Sequence, residues 1–434
     1  MSNLRKFFLE NEAVIGIKSP CDYLYVKILQ YTLTVVSSWP YKEIGRNESV
    51  CLHTFLKYFY LFATFLCFAG SFSYIANNTG NITFLDLGNI LDYLFQSRIV
   101  LLTFSAKYRE VTADFLTDFH LFFYKDRSEF AMQTHKNIHL LSHLFVVYLS
   151  GLTICGLNFF NLIPVYNNFS SGKYKPNGLQ NSTFEHSLSI SYPFDTYTNV
   201  PGYIVACVLH WVIACLCSVW HCIFDLLLSV MVFNLWGHFK ILIHNIEDFP
   251  KPAHKYITLE DGSKLSVDIY SKDELLQVSD KLKECIDYHR DIVRFTDRMS
   301  NVFGPMLFVY YMYHQTAGCL LLLECSQMTA KALIRYLPLT TIVFQQLIQL
   351  SIIFELVGSE SEKLKDAVYG LPWEYMDTKN RKVVAIFLMN VQKPVHVKAL
   401  GLADVGVTTM AMVRCTVINY LKKELIVRIF NPIW

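Results

Sequence analysis

Two residue pairs and one acid have the types and spacing that chemistry needs. Cys207 and His210 stand three apart and Cys217 and His221 four apart, so each pair shares a helical face, and Asp225 follows one turn after His221. Thiolate and imidazole together suit a transition metal, but such a site needs three or four convergent donors with supporting partners. No matching set stands on another segment, so packing and interhelical hydrogen bonds are the expected role, with no metal and no cofactor. Asp225 lies toward the end of an apolar run, where a carboxylate reaches water or pairs with a Lys; an ordinary ion pair is expected there. No H-E-x-x-H, G-x-S-x-G, G-x-G-x-x-G or phosphate loop occurs, so the usual markers of hydrolytic and nucleotide-driven enzymes are missing. The chain does not read as an enzyme.

Aromatic residues form a denser pattern. Tyr93, Phe95, Tyr148, Phe159, Tyr203, Trp211, Tyr336 and Phe344 fall in apolar runs, with the small or hydroxyl residues Gly151, Cys155, Thr340 and Thr341 among them. Aromatic walls with a few polar tips suit a small, largely apolar ligand held by shape. Interfacial aromatic belts give the same signal for any single residue, so the ligand-binding expectation rests on the cluster. With no basic residue in it, a neutral long-chain alcohol, aldehyde or ester is the expected ligand, with Tyr and Thr hydroxyls as donors.

The elements that must position these residues are membrane spans. Of 434 residues, 53% are hydrophobic and only 17% charged, below the quarter usual in soluble chains. A net charge of +2 without an arginine-rich block gives no footprint for nucleic acid. The first twenty residues carry charge without an apolar core, so no cleaved signal is expected. Seven runs reach the ~20 apolar residues a helix needs to cross a bilayer: about 54–76, 84–106, 139–163, 201–233, 301–324, 333–357 and 404–427. The fourth is overlong and should continue into the cytosol. Asp86, Asp92 and Arg98 weaken the second, and Arg414 with Lys422–Glu424 weakens the last; weak spans face protein or water rather than lipid. An all-α, seven-span protein follows.

Its orientation comes from charge. Lys and Arg concentrate before the first span and in the second, fourth and sixth connections, while the first has none and the third only Lys173 and Lys175. Basic loops stay inside, which gives a cytosolic N-terminus and an extracellular C-terminus. N-x-[ST] sequons at Asn77, Asn81, Asn168 and Asn181 all fall in the connections so assigned to the outside, whereas Asn47 falls inside. Of twelve cysteines, four lie in the fourth span as small soft apolar residues, and no structural disulfide is expected. The polar stretch 247–276, with "EDGS" at 260–263, should loop out, and 273–299 should be an amphipathic helix entering the fifth span.

After the sixth span, "YGLPW" ends at Trp373 and "DTKNRKVVAIFLMNVQ" reads as a further cytosolic helix with Arg381 and Lys382 near its start. Pro394 stops it, basic residues stay in water, and Gly401 and Gly406 let the chain turn. The order Trp373, Arg381–Lys382, "QKPV" at Gln392–Val395, "TTMA" at Thr408–Ala411 and Tyr420 resembles the C-terminal signature of insect odorant receptors. The likeness is specific over roughly the last sixty residues; the TTMA form and the chain length are similar to moth and butterfly receptors of the pheromone type.

That resemblance implies a ligand-gated, non-selective cation channel, tetrameric around a central pore, in the plasma membrane of olfactory neuron dendrites. It implies an odour-tuned subunit working with the co-receptor Orco, with the odorant in the outer half among spans two to six. It also assigns residues 1–53 to a cytosolic segment, 54–357 to the ligand-binding bundle, 358–403 to a subunit anchor containing Trp373, Arg381, Gln392 and Pro394, and 404–434 to the pore helix, where Val413, Thr416, Tyr420 and Lys423 line the pore. Arg414 and Asn419 replace the family's usual apolar and serine positions, and Lys422, Lys423 and Glu424 stand where an apolar gate belongs. A ring of Lys would repel cations. A metabotropic receptor, a lipid enzyme and a secondary transporter are the competing classes; the first requires the opposite orientation, the second a convergent catalytic set, the third internal repeats.

Overall fold

A computed structural model of the chain describes residues 17–45, 50–78, 84–175, 178, 182–252, 254–258, 264–268, 270–326, 330–399, 403–404 and 406. The architecture is helical. A short α1 (Leu24–Val35) precedes α2 (Val50–Asn77), α3 (Phe84–Phe104), α4 (Ala106–Asp114), α5 (Glu129–Ser170), α6 (Val200–Cys222), α7 (Ser229–Glu247), α8 (Lys272–Cys325), α9 (Ala330–Tyr369) and α10 (Thr378–Val391). Among the described residues, five helical stretches are long and apolar enough to cross a membrane: α2, α5, α6 running into α7, α8 and α9. Shorter and interrupted by Asp86, Asp92 and Arg98, α3 packs between α2 and α8.

Two junctions matter for the site. A π-helical turn over Ile223–Leu228 joins α6 to α7 without a break, and the extra residue of such a turn re-aims the side chains it carries. Ser271 caps α8 with Glu274 in a reciprocal box, starting a helix of roughly 80 Å at 1.5 Å per residue. Its charged lower half and its apolar upper half are thus one rod. Pro305 and Pro338 lie inside α8 and α9, where each removes a backbone hydrogen bond.

The core is thickest at the base of the bundle, where α1, α4, the start of α5, α7 and the lower part of α8 meet. There the chain between α4 and α5 is held by side chains of α7. His238 donates Nε2–H to the Phe119 carbonyl (2.6 Å) and accepts from Tyr288 at Nδ1 (2.7 Å), and Asn234 accepts the Leu121 N–H (3.1 Å). Gly237 makes this approach possible: a Cβ there would run into the Leu121 side chain.

Several boundaries differ from those read in the sequence. The polar stretch after α7 is not a bare loop: β1 (His254–Thr258) pairs antiparallel with β2 (Lys264–Asp268). Asp404, taken from the sequence as the first residue of the seventh span, lies in a second hairpin, β3 (Lys398–Ala399) with β4 (Ala403–Asp404). Strand pairing consumes the turn region that apolar content alone credits to the span. The rest of that span, with Val413, Thr416, Tyr420 and Lys423, lies outside the described residues, as do Gly401, Asn47, Asn81 and Asn181.

Candidate functional site

A cavity of about 250 Å³ opens between α3, α5, α6, α8 and α9. Its size falls just below the ~300–1,000 Å³ common for small-molecule sites. The walls are apolar: Leu152, Gly156, Leu157 and Phe160 from α5, Ala317 and Leu321 from α8, and Leu339, Ile342 and Val343 from α9. Leu188, from the connection between α5 and α6, covers the upper end.

The floor is polar and sits at the π-helical turn. Asp225 accepts the Tyr310 hydroxyl at Oδ1 (2.6 Å) and the Gln346 amide at Oδ2 (3.0 Å). Asp92 of α3 accepts from His221 Nε2 of α6 (3.0 Å) and from Gln96 (2.5 Å). Phe95 lies beneath, its ring 5.1 Å from Tyr313 and 5.2 Å from His221. Four helices and the π turn are thereby tied at one level, and a shift of any of them alters the floor. Among the described residues no group of three or more His, Cys, Asp and Glu is placed to hold a metal.

The aromatic candidates divide sharply. Tyr93 lines the cavity and Phe95 supports its floor. Tyr148 and Gly151 lie on the outward face of α5 instead, and Trp211 is half-buried away from the cavity. Tyr203 is buried at the start of α6, stacked 4.4 Å from Phe184 and bonded to Asn168. Tyr336 and Thr340 join a small cluster with Leu321 and Cys325 above the cavity, and Phe344 closes on Gly318. Cys155 and Phe159 line a separate outer groove of about 410 Å³ between α5 and α9. That groove and the cavity share Leu152, Gly156, Phe160, Leu339 and Ile342 as a common wall. Helix rotation puts most of these rings outside the cavity.

The residues missed were the polar ones. Asp92 had counted only as a defect in span two, and Asp225 as a partner for a Lys; its partners are Tyr310 and Gln346. His221 shares the expected face with Cys217, and both line the cavity. Ionisable groups inside apolar spans were the available signal.

Among the sequons, Asn77 is exposed at the end of α2. Asn168 is fully buried, donating to Glu185 O and Tyr203 and accepting from Glu185 N and Lys173, so a glycan has no room there. Of the anchor residues, Arg381 donates to the Met376 carbonyl (2.7 Å) at the start of α10, while Trp373, Gln392 and Pro394 are exposed. Ser361 of α9 accepts the Val395 N–H (2.8 Å) and fastens the elbow.

A sequence model described as 7tm odorant receptor matches residues 108–417, well over half of the chain. The chain belongs to the 7tm odorant receptor family. Its similarity to odorant receptor 67a of Drosophila melanogaster is 25% identity over 198 residues, 43% of each protein. The receptor's fold is that of the insect olfactory receptor OR5 from Machilis hrabei, with a TM-score of 0.74 at 14% identity over 92% of this chain and 97% of that one. The eugenol complex of that receptor aligns with a TM-score of 0.68 at 16% identity, over 93% and 99%. The receptor is a multi-pass membrane protein.

Proposed function

We propose that the receptor is an odour-tuned subunit of a ligand-gated, non-selective cation channel, with its volatile ligand in the cavity above the π-helical turn. The observation that carries the reading is that cavity: small, apolar-walled, and floored by residues from helices that must move together if any one moves. A ligand that fits one arrangement of α3, α6, α8 and α9 better than another biases a two-state equilibrium by that difference in affinity. The connection to a gate runs through α9 and α10 to the elbow, where Ser361 holds Val395 just before the final span. That the homologous fold is also found in a complex with eugenol supports a small organic ligand here.

The base of the bundle is cytosolic in this reading, as the distribution of Lys and Arg requires, and α10 is the subunit anchor. The pore is tetrameric and shared with Orco, so the charges at Lys422–Glu424 occupy only some positions around it. A pheromone-type ligand fits the resemblance of the C-terminal segment.

The test is whole-cell current in cells expressing the chain with and without Orco, under a panel of volatiles. Odour-evoked cation current that needs both subunits and survives blockade of G-protein signalling is the expected result. A response abolished by that blockade would establish a metabotropic receptor instead.

A further inference from the structure

We propose that the cavity selects volatiles carrying a protonated amine, with Asp225 as the counter-charge. This rests on the ligand-site reading above and replaces the neutral ligand expected from sequence. Among the described residues neither Lys nor Arg lines the cavity, whereas two carboxylates do. Asp92 has the His221 imidazole as its partner. Asp225, almost wholly buried, accepts hydrogen bonds from a hydroxyl and an amide, and shares with Asp92 the one imidazole, His221, that faces both carboxylates. A buried carboxylate without a cation is poorly compensated, and a ligand ammonium supplies what the protein does not.

The hydrogen-bond inventory of the floor points the same way. His314 lies beside the Tyr310 carbonyl (2.9 Å), which only accepts, so Nδ1 carries the proton and Nε2 of the neutral ring is an acceptor. That Nε2 is buried without a hydrogen-bond partner. His221 gives Nε2–H to the Asp92 carboxylate, and its buried Nδ1 is a donor when the ring carries the charge that balances Asp92. The two rings are 6.1 Å apart, a span one small polar group can bridge. Beside them lie the unpartnered Asn89 Nδ2 and the Tyr93 hydroxyl, the latter able to accept as well as donate. An ammonium brings three N–H donors, a hydroxyl one, and an ester or aldehyde none. The apolar walls then take the alkyl or aromatic body of the same molecule.

Straight-chain primary amines, alcohols and carboxylic acids of matched length test this, applied to cells expressing the chain with Orco. For the native chain the amine should act at a half-maximal concentration about 10- to 100-fold below the alcohol, the factor a charge-assisted hydrogen bond confers, and the acid should be silent. Asp225→Asn should bring the ratio of amine to alcohol potency toward one, whatever it does to the size of either response. Gln346→Glu adds a third carboxylate, beside Asp225, and should widen the ratio, which keeps the test open if Asp225→Asn does not reach the surface. Equal potency of amine and alcohol on the native chain, or an unchanged ratio in both variants, overturns the proposal. Ala317→Trp fills the cavity and separates the two levels of the argument. Amine currents surviving that change at normal surface density would remove the ligand-site reading itself, and the amine proposal with it.

Discussion

His120 shows how a single buried side chain ties stability to pH. The Phe122 N–H donates to its Nδ1 (3.0 Å), so Nε2 carries the proton and donates to the Tyr25 hydroxyl (2.7 Å). Both bonds belong to the neutral ring. Burial holds the imidazole well below its ordinary pKa, and His135, His139 and His238 add like-charge repulsion. The unfolded chain titrates near ~6.5, so below that pH it takes up a proton that the folded protein refuses. Stability from this group is therefore complete above about pH 6.5 and is lost as the pH falls. The thermal midpoint of detergent-solubilised receptor should fall between about pH 7.5 and about pH 5.5, and less steeply in His120→Gln. Identical slopes would assign the effect elsewhere. At this scale the sequence was least legible. Asp92, Asp225 and His314 meet only because three segments far apart in the chain converge, and no local spacing encodes that convergence.

At the scale of elements, most of the helices were legible because a membrane enforces them. A backbone in hydrocarbon must satisfy its own hydrogen bonds, so long apolar runs declare helices, and charge at their ends marks where water begins. Rotation about each axis and the π turn were hidden, since both depend on what the neighbouring helix offers. Close approaches follow the same rule. Gly202 opens α6 directly against the Asp195 carbonyl, in a turn that the Asp195 side chain fixes by accepting from Tyr197 N (2.8 Å) and Thr198 N (3.0 Å). Because the obstacle is backbone, Gly202→Ala should cost roughly 1–3 kcal/mol, seen as a lowered thermal midpoint and reduced surface delivery. An unchanged midpoint would mean the connection yields freely. In α10, Val384, Phe387 and Val391 are buried against the body while Ile386 and Met389 are 60% and 70% exposed on other faces. Exposed apolar residues on a helix outside the lipid mark an interface. Ile386→Glu with Met389→Glu should abolish the tetramer on size exclusion while leaving folded monomer; an intact tetramer would place the anchor contact elsewhere.

For the whole molecule, the family was readable from a C-terminal signature. The identity of the lining residues was not. The elbow that opens the final segment proved to be a hairpin pinned to α8 and α9, by Lys398 N–H to Ser300 and Val395 N–H to Ser361. It links a ligand cavity, a long rod and an anchor helix in one chain, and the ligand's position is the claim on which that coupling depends. Cryo-electron microscopy of the receptor co-assembled with Orco, with and without an activating volatile, measures that position directly. Ligand density between Tyr93, Gly156, His221 and Ala317, resting on the floor at Asp225, is the result expected. Density confined to the outer groove at Cys155 and Phe159, with the cavity unchanged on activation, would contradict it.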